Sequence, residues 1–378
     1  MPVVHFCRLP PLAIDCCFRI RLTAVVHRSL LAQLRESSPD NDRRAKAAWA
    51  VSKFAASASS ATTSNQDVLG ASGIELLVSL LSPEHNGSAP AVLRRQASTT
   101  MHMPQRRNRS SAEKEEYVPD LHSRTQMELC AALWAITKEH PINRRAVADA
   151  GGVPVLIAML EDHPDIHYQA AGAVWSLSVD PTNQRLVAEA GGITKLIELL
   201  KPPPAPNPAV HSSVLLAQET VAGALHSLTA RAENRELIAQ ADGITHLVPL
   251  LFGSASELTK AEASEALLSL CTSNPEHVFT LVTQTTSWLA KTPLPAQEAA
   301  GTTALQVIHT LSLDDDNQDA FSRTGIIGQL EIQLNAGAEQ AQKLAANTLT
   351  NIAKISISLR KQVSQQLVKL LTHQTPDM

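Results

Sequence analysis

Apolar residues recur at helical spacing along most of this chain, and the recurrence is itself repeated. Residues 150–160 read AGGVPVLIAML and residues 190–200 read AGGITKLIELL, with Val153, Leu156, Ile157 and Leu160 matched by Ile193, Leu196, Ile197 and Leu200. That i, i+3, i+4, i+7 spacing predicts a short amphipathic helix in each phrase. Self-similarity at a fixed distance points to stacked units, none of which buries its apolar face alone.

An asparagine opens each copy, which makes the period measurable: Asn143 (NRRAVADAGG), Asn183 (NQRLVAEAGG), Asn234 (NRELIAQADG), Asn274 (NPEHVFTLVT) and Asn317 (NQDAFSRTG), at spacings of 40, 51, 40 and 43 residues. The long interval contains KPPPAPNP from Lys201 onward. Proline lacks the N–H and clashes with the preceding turn, so this stretch interrupts helix; removing it restores the period. Upstream, Asn65 (NQDVLGASGIELLVSLL) stands 78 residues before Asn143, close to two periods, with one helix pair in evidence there. The surplus, Ser82 to about Arg124, is polar, rich in Arg and Ser and free of apolar periodicity, and it reads as a disordered insert.

Each Asn phrase predicts two helices. The Asn carboxamide is expected to cap the first, which ends at Gly151, Gly191 or Gly243, residues that tolerate left-handed backbone. The second carries the apolar run. A third, rich in Ala and Gly, precedes each Asn at 45–56, 127–139, 168–180, 218–230, 261–273, 301–313 and 343–355. Small side chains there let neighbouring helices approach closely. Three helices per unit, seven times over, is the predicted count.

The run YQAAGAVWSLSVDPTNQRLVAEAGGITKLIELL resembles an armadillo repeat almost column for column, and the likeness extends from about Leu22 to Leu371. It is strong at 127–251 and weak at 274–290, where the glycine is lost. The resemblance implies an all-α, right-handed α-solenoid of about seven three-helix repeats over residues 22–371, with inserts at 82–124 and 201–212 and with segments 1–21 and 372–378 outside it. It also implies that the third helices line a concave groove that binds extended peptides, as in importin-α and β-catenin. The function so implied is a non-catalytic scaffold for other proteins. An importin-like transport adaptor and a non-catalytic subunit of a ubiquitin-ligase complex are the alternative readings.

The importin groove pairs a Trp ladder with an Asn ladder four residues on. Here Trp49 matches, but Lys53 takes the Asn position, and the later Asn positions hold Ala135, Ser176, Ser227, Ser269, Thr310 and Asn351. The double ladder is missing, which disfavours nuclear-import cargo. One residue earlier lies a richer column: Ser52, Trp134, Trp175, His226, Leu268, His309 and Thr350. Its rings either anchor a ligand or pack between third helices of adjacent repeats. The candidate groove residues are therefore Trp49, Lys53, Trp134, Trp175, His226, His309 and Asn351.

Composition narrows the partners. The 378 residues are 44% hydrophobic but only 3% aromatic, which suits small-residue helix packing. A net charge of −4 gives the whole molecule no field for nucleic acid. Five cysteines, an odd number without CxxC spacing, argue against a disulfide framework and for a reducing compartment, the cytoplasm or nucleus. The acid-poor balance of Met1–Arg35 leaves organelle targeting open. No apolar run is long enough to span a membrane. No nucleophile, phosphate-loop or metalloprotease motif occurs, and the acidic and imidazole-bearing loop at 161–167 reads as a polar turn, so no catalytic residue, metal or cofactor is assigned. Arg three residues before Ser98 and before Ser110 marks both as candidate phosphorylation sites for basophilic kinases.

Overall fold

The computed structural model describes residues 32, 34, 41–56, 70–82, 121–161, 164–201, 208–252, 255–292, 294–355, 360–361 and 363–365. Most of the 82–124 insert, including Ser98 and Ser110, lies outside these, as do the two terminal segments and residues 202–207. All regular structure among the described residues is helical, and the chain is an all-α solenoid of stacked helix triplets. It divides into two compact units, one up to Leu177 and one from Ser178.

The first unit holds α1 (Asn41–Ala56), α2 (Gly70–Leu81), α3 (Leu121–Thr137), α4 (Pro141–Asp149), α5 (Gly152–Met159) and α6 (Pro164–Ser178), whose last residue crosses the boundary. The second holds α7 (Pro181–Glu189), α8 (Gly192–Leu200), α9 (Pro208–Leu228), α10 (Ala232–Gln240), α11 (Gly243–Leu247), α12 (Glu257–Cys271), α13 (Pro275–Lys291), α14 (Leu294–Leu311), α15 (Gln318–Arg323), α16 (Ile326–Ala336) and α17 (Glu339–Ile355). The predicted third helices are α1, α3, α6, α9, α12, α14 and α17. They begin a turn or more earlier than apolar spacing suggests, because their first turns are polar or proline-led. The α9 helix starts at Pro208, inside the stretch expected to be an insert, and α3 starts at Leu121, inside the other. Proline is favourable there because the first turn needs no N–H partner.

In the first unit α1 lies along α3, and α2 packs on α3, α4 and α5. In the second, α9 packs on α12, α12 on α14 and α14 on α17, so consecutive third helices are direct neighbours. The core follows the predicted pattern: Val153, Leu156, Ile157 and Leu160 are buried, as are Ile193, Leu196, Ile197 and Leu200. Each such side chain contributes about 1.5–3 kcal/mol on burial.

Two local expectations need correction. The left-handed positions between first and second helices are Gly151 (φ 76), Gly191 (φ 74) and, in the third copy, Asp242 (φ 62) rather than Gly243. Gly243 does the job of Gly152 instead: a Cβ there would lie 2.4 Å from Ile238 Cγ2 and 2.6 Å from Ile238 O. The two glycines of AGG thus answer different demands, one conformational and one steric. Where both are lost, at TLVT after Asn274, nothing breaks the backbone, and the two expected helices are continuous as α13.

The second correction concerns the asparagines. His140, Asp180 and Asp314 cap the following helices through Asn143 N, Thr182 N and Asp316 N. Asn143 points backwards, donating Nδ2–H to Ile136 O at 2.8 Å, and Asn317 donates to Leu311 O at 3.0 Å, so they satisfy carbonyls at the end of the preceding third helix. Only Asn274 among these caps as expected, accepting from His277 N at 3.3 Å. His277 occupies the Asn143 role one turn later, its Nδ1 2.8 Å from Leu270 O. The carbonyl can only accept, so Nδ1 carries the proton and Nε2 accepts from Asn274 Nδ2 at 3.2 Å. Asn143→Ala is therefore expected to cost about 2 kcal/mol, since it strips a partner from a buried carbonyl, and Asn274→Ala about 1 kcal/mol as a half-buried cap. Urea titration of both variants tests this; equal losses would mean the two asparagines do the same work.

Candidate functional site

Each third helix buries its Ala and Leu faces against neighbours and leaves one narrow strip open. In the first unit that strip on α1 carries Trp49, half exposed at 50%, and Lys53, exposed and one turn further on. The α1 helix lies on α3, which brings Lys53 to Glu128. Burial pushes the Glu128 carboxyl above its ordinary range, while Arg124 and Lys53 pull it back down. Neither Glu128 nor Arg124 was singled out by sequence, since the α1–α3 pairing across the long insert is what makes them face Lys53.

Trp134 shows what the indole column does structurally. Its ring lies flat on Gly172 of α6: a Cβ there would meet Cδ2 and Cε3 at 2.6 Å. Tyr168 of the same helix meets the ring edge-on, centroids 5.3 Å apart at 85°. The packing and ligand-anchor readings therefore share one side chain, because Trp134 is only half-buried and keeps part of its ring open. Trp175 is half-buried in the same way, and beside it Ser176, at the Asn-ladder position, is buried with no partner for Oγ.

In the second unit the column is tied to the next third helix. His226 Nδ1 lies 2.7 Å from Glu262 Oε2, His309 Nδ1 lies 3.4 Å from Thr348 Oγ1, and Asn351 donates Nδ2–H to Ser312 Oγ at 3.2 Å. Lys354 in turn donates to Asn351 Oδ1 at 3.2 Å. Leu216 and Leu258 stand at equivalent positions on α9 and α12 and are 56% and 45% exposed. A cavity of about 550 Å³ lies between α16, α17 and residues 360–364, lined by Leu334, Leu349, Thr350, Lys354, Arg360 and Val363 among others.

Among the described residues no group of three or more His, Cys, Asp or Glu could hold a metal, and no helix is long and apolar enough to cross a membrane. The buried Cys271 thiol is pushed up to about 12, which keeps it protonated and unreactive at neutral pH.

Glu128 gives the site a measurable pH dependence. Its folded form holds the proton to higher pH than the ordinary value of 4.5, so stability falls as pH rises through the interval above that value. Glu128→Gln is expected to be more stable than the parent at neutral pH, with the advantage fading as the pH drops below the ordinary carboxylate range. Thermal melts across pH check it; an advantage that does not fade would show that charge burial is not its cause.

Comparison with known proteins agrees with this architecture. Residues 140–179, which hold α4, α5 and α6, match the family model for the Armadillo/beta-catenin-like repeat. No curated protein matches the chain. Among solved structures, one engineered protein is 24% identical, covers 93% of this chain and 74% of its own, and superposes with a TM-score of 0.57. A second engineered protein is 19% identical over 86% of this chain and 98% of its own, with a TM-score of 0.50. A designed armadillo repeat protein is 17% identical over 86% of this chain and 98% of its own, with a TM-score of 0.49. At these identities the likeness concerns the fold.

Proposed function

We propose that this solenoid, whose residues 140–179 match an armadillo repeat, serves as a protein-interaction scaffold, holding extended segments of partner proteins on its third-helix faces and catalysing no reaction. The observation that carries this is the column of half-exposed rings at one helical position: Trp134 and Trp175 in the first unit, His226 and His309 in the second. Each of Trp134, His226 and His309 is braced by the next third helix, so little rotamer freedom remains to be lost when a ligand docks. Large, pre-fixed amphipathic rings are the residue type that dominates binding energy at interfaces.

A transport-adaptor role is disfavoured by the same positions. Ala135, Ser176 and Ser227 are too short to hold a ligand backbone as a ladder of carboxamides would. The working compartment in this reading is the reducing cytoplasm, where buried thiols such as those of Cys130 and Cys271 persist.

The test is affinity capture from native cells with the full chain and with Trp175→Ala. The variant is expected to lose about 2 kcal/mol of affinity for captured partners, near thirtyfold, with an unchanged melting temperature. A melting temperature that falls as steeply as the affinity would assign Trp175 to the core.

A further inference from the structure

The cavity of about 550 Å³ in the second unit is bounded by α16, α17 and residues 360–364, and its lining is graded from apolar to cationic. Leu349 and Val363 are buried at its inner end, with Leu334, Ala346 and Ala353 half-buried beside them. Lys354 and Arg360 are exposed, so the open end carries two positive charges.

Both cations are held in place by neutral groups. Arg360 donates Nε–H to Ala353 O at 3.1 Å and Nη2–H to Lys354 O at 3.0 Å, which seats its guanidinium on the backbone of the second cation. Those bonds use two of the five donors of a guanidinium. Lys354 donates to Asn351 Oδ1 at 3.2 Å. Among the described residues neither cation forms an ion pair with a carboxylate. The hydroxyls of the lining serve their own helices, Thr350 donating to Ala346 O at 2.8 Å and Ser364 to Arg360 O at 2.7 Å.

We propose that this cavity binds a long-chain carboxylate of the fatty-acid type, with the apolar tail against Leu349 and Val363 and the head group between Lys354 and Arg360. Volume decides the class of ligand. Small-molecule sites occupy about 300–1,000 Å³ and combine an apolar lining with a few polar groups, whereas a stable protein interface needs about 800 Å² on each partner. Charge decides the head group. Two cations fixed on one stretch of backbone repel each other, and a carboxylate between them offsets that repulsion while giving each an oxygen for a charge-assisted hydrogen bond. The lining decides the tail. Methylenes can cover Leu349, Ala353 and Val363, whereas a polar body would be left without partners there. The inference is independent of the scaffold reading, since it uses none of the rings in the column.

Isothermal titration calorimetry of the full chain with laurate, kept below its micelle-forming concentration, tests this. One site per chain is expected, with octanoate at least about tenfold weaker, since each buried methylene is worth about fourfold in affinity. Dodecyltrimethylammonium, with a tail of the same length and the opposite charge, should also bind at least about tenfold more weakly than laurate. Lys354→Gln combined with Arg360→Gln should weaken laurate about tenfold. Because Arg360 also caps α17, a second variant leaves the cations intact: Ala353→Leu fills the cavity from a half-buried position and should weaken laurate at least about tenfold while the melting temperature holds or rises.

Equal affinity for laurate and its cationic counterpart, many weak sites per chain, or unchanged binding in Ala353→Leu would overturn the proposal, since each describes adsorption outside the cavity. Failure of laurate to bind overturns it as well, and two measurements then name the occupant. If Leu370→Ser with Leu371→Ser allows laurate to bind, the chain's own segment beyond Gln365 fills the cavity. If the protein runs as a dimer that Ala353→Leu dissociates, a second copy does.

Discussion

Gly152→Ala is expected to destabilise the protein by about 3 kcal/mol, more than any other single methyl group added to the described glycines of the first unit. A Cβ at Gly152 would lie 2.5 Å from Val147 Cγ1, 2.8 Å from Val147 O and 3.2 Å from Val78 Cγ2. Val147 is fully buried and its carbonyl belongs to α4, so neither obstacle can swing aside. Relief requires α4 and α5 to part, which opens the contact of both with α2. Gly151 is the control. Nothing lies within 4 Å of its Cβ position, but its φ of 76° disfavours a side chain, so Gly151→Ala should cost about 1 kcal/mol. Urea denaturation of the two variants separates the causes. Equal costs would mean that space at Gly152 matters no more than backbone conformation at Gly151.

The distinction between those two glycines shows where sequence reading stops. Periodicity alone located the second helices, because their cores are made of Val, Leu and Ile at fixed spacing, and Val153 to Leu160 and Ile193 to Leu200 are buried as their pattern requires. Helix starts were less legible. The first turns of α9 and α12 carry proline, serine and glutamate, which hydrophobic spacing does not see, although Ser256 accepts from Thr259 N as an ordinary cap. The role of the asparagines was misread for a related reason. A carboxamide at a helix start looks like a cap in one dimension, whereas its acceptor, Ile136 O or Leu311 O, lies at the end of the preceding helix. The shift from Asn274 to His277 is invisible to a search for asparagine, though the seven-residue step back to Leu270 repeats the step from Asn143 to Ile136.

The candidate faces were legible by column but not by partner. Sequence register placed Trp134, Trp175, His226 and His309 at one helical position, and they are half-exposed together. What each ring touches depends on the neighbouring helix. Glu262 could have been suspected because it lies 36 residues beyond His226, less than one period, on the next third helix. Glu128 could not, since the spacing between α1 and α3 includes an insert whose length carries no structural information. Lys53 at the Asn-ladder position marks the missing double ladder in the sequence, whereas its neighbours on α3, Arg124 and Glu128, follow only from the pairing of α1 with α3.

The Trp134–Gly172 contact is the point at which stability and recognition should separate most clearly. Leucine at 172 would drive its Cβ to 2.6 Å from Trp134 Cδ2 and Cε3 and 2.7 Å from Cε2, and would add three further carbons. Tyr168 braces the ring edge, so the indole cannot slide along α6 to escape. Gly172→Leu is expected to cost about 3 kcal/mol or more. Truncating the obstacle should restore part of that loss: Gly172→Leu with Trp134→Ala should be more stable than the sum of the single variants by at least about 1 kcal/mol, since residues in direct contact are not additive. Gly172→Ala is the milder probe. Its overpacking is only partly offset by about 1 kcal/mol of helix propensity, so it should cost less than Gly172→Leu and leave the protein folded with the indole displaced. If the ring is a ligand anchor, partner binding then falls in Gly172→Ala by more than in a variant of equal stability altered away from the third-helix faces. Full affinity in that variant would show that Trp134 serves the stacking of α3 on α6 and that Trp175 alone of the two indoles meets the ligand.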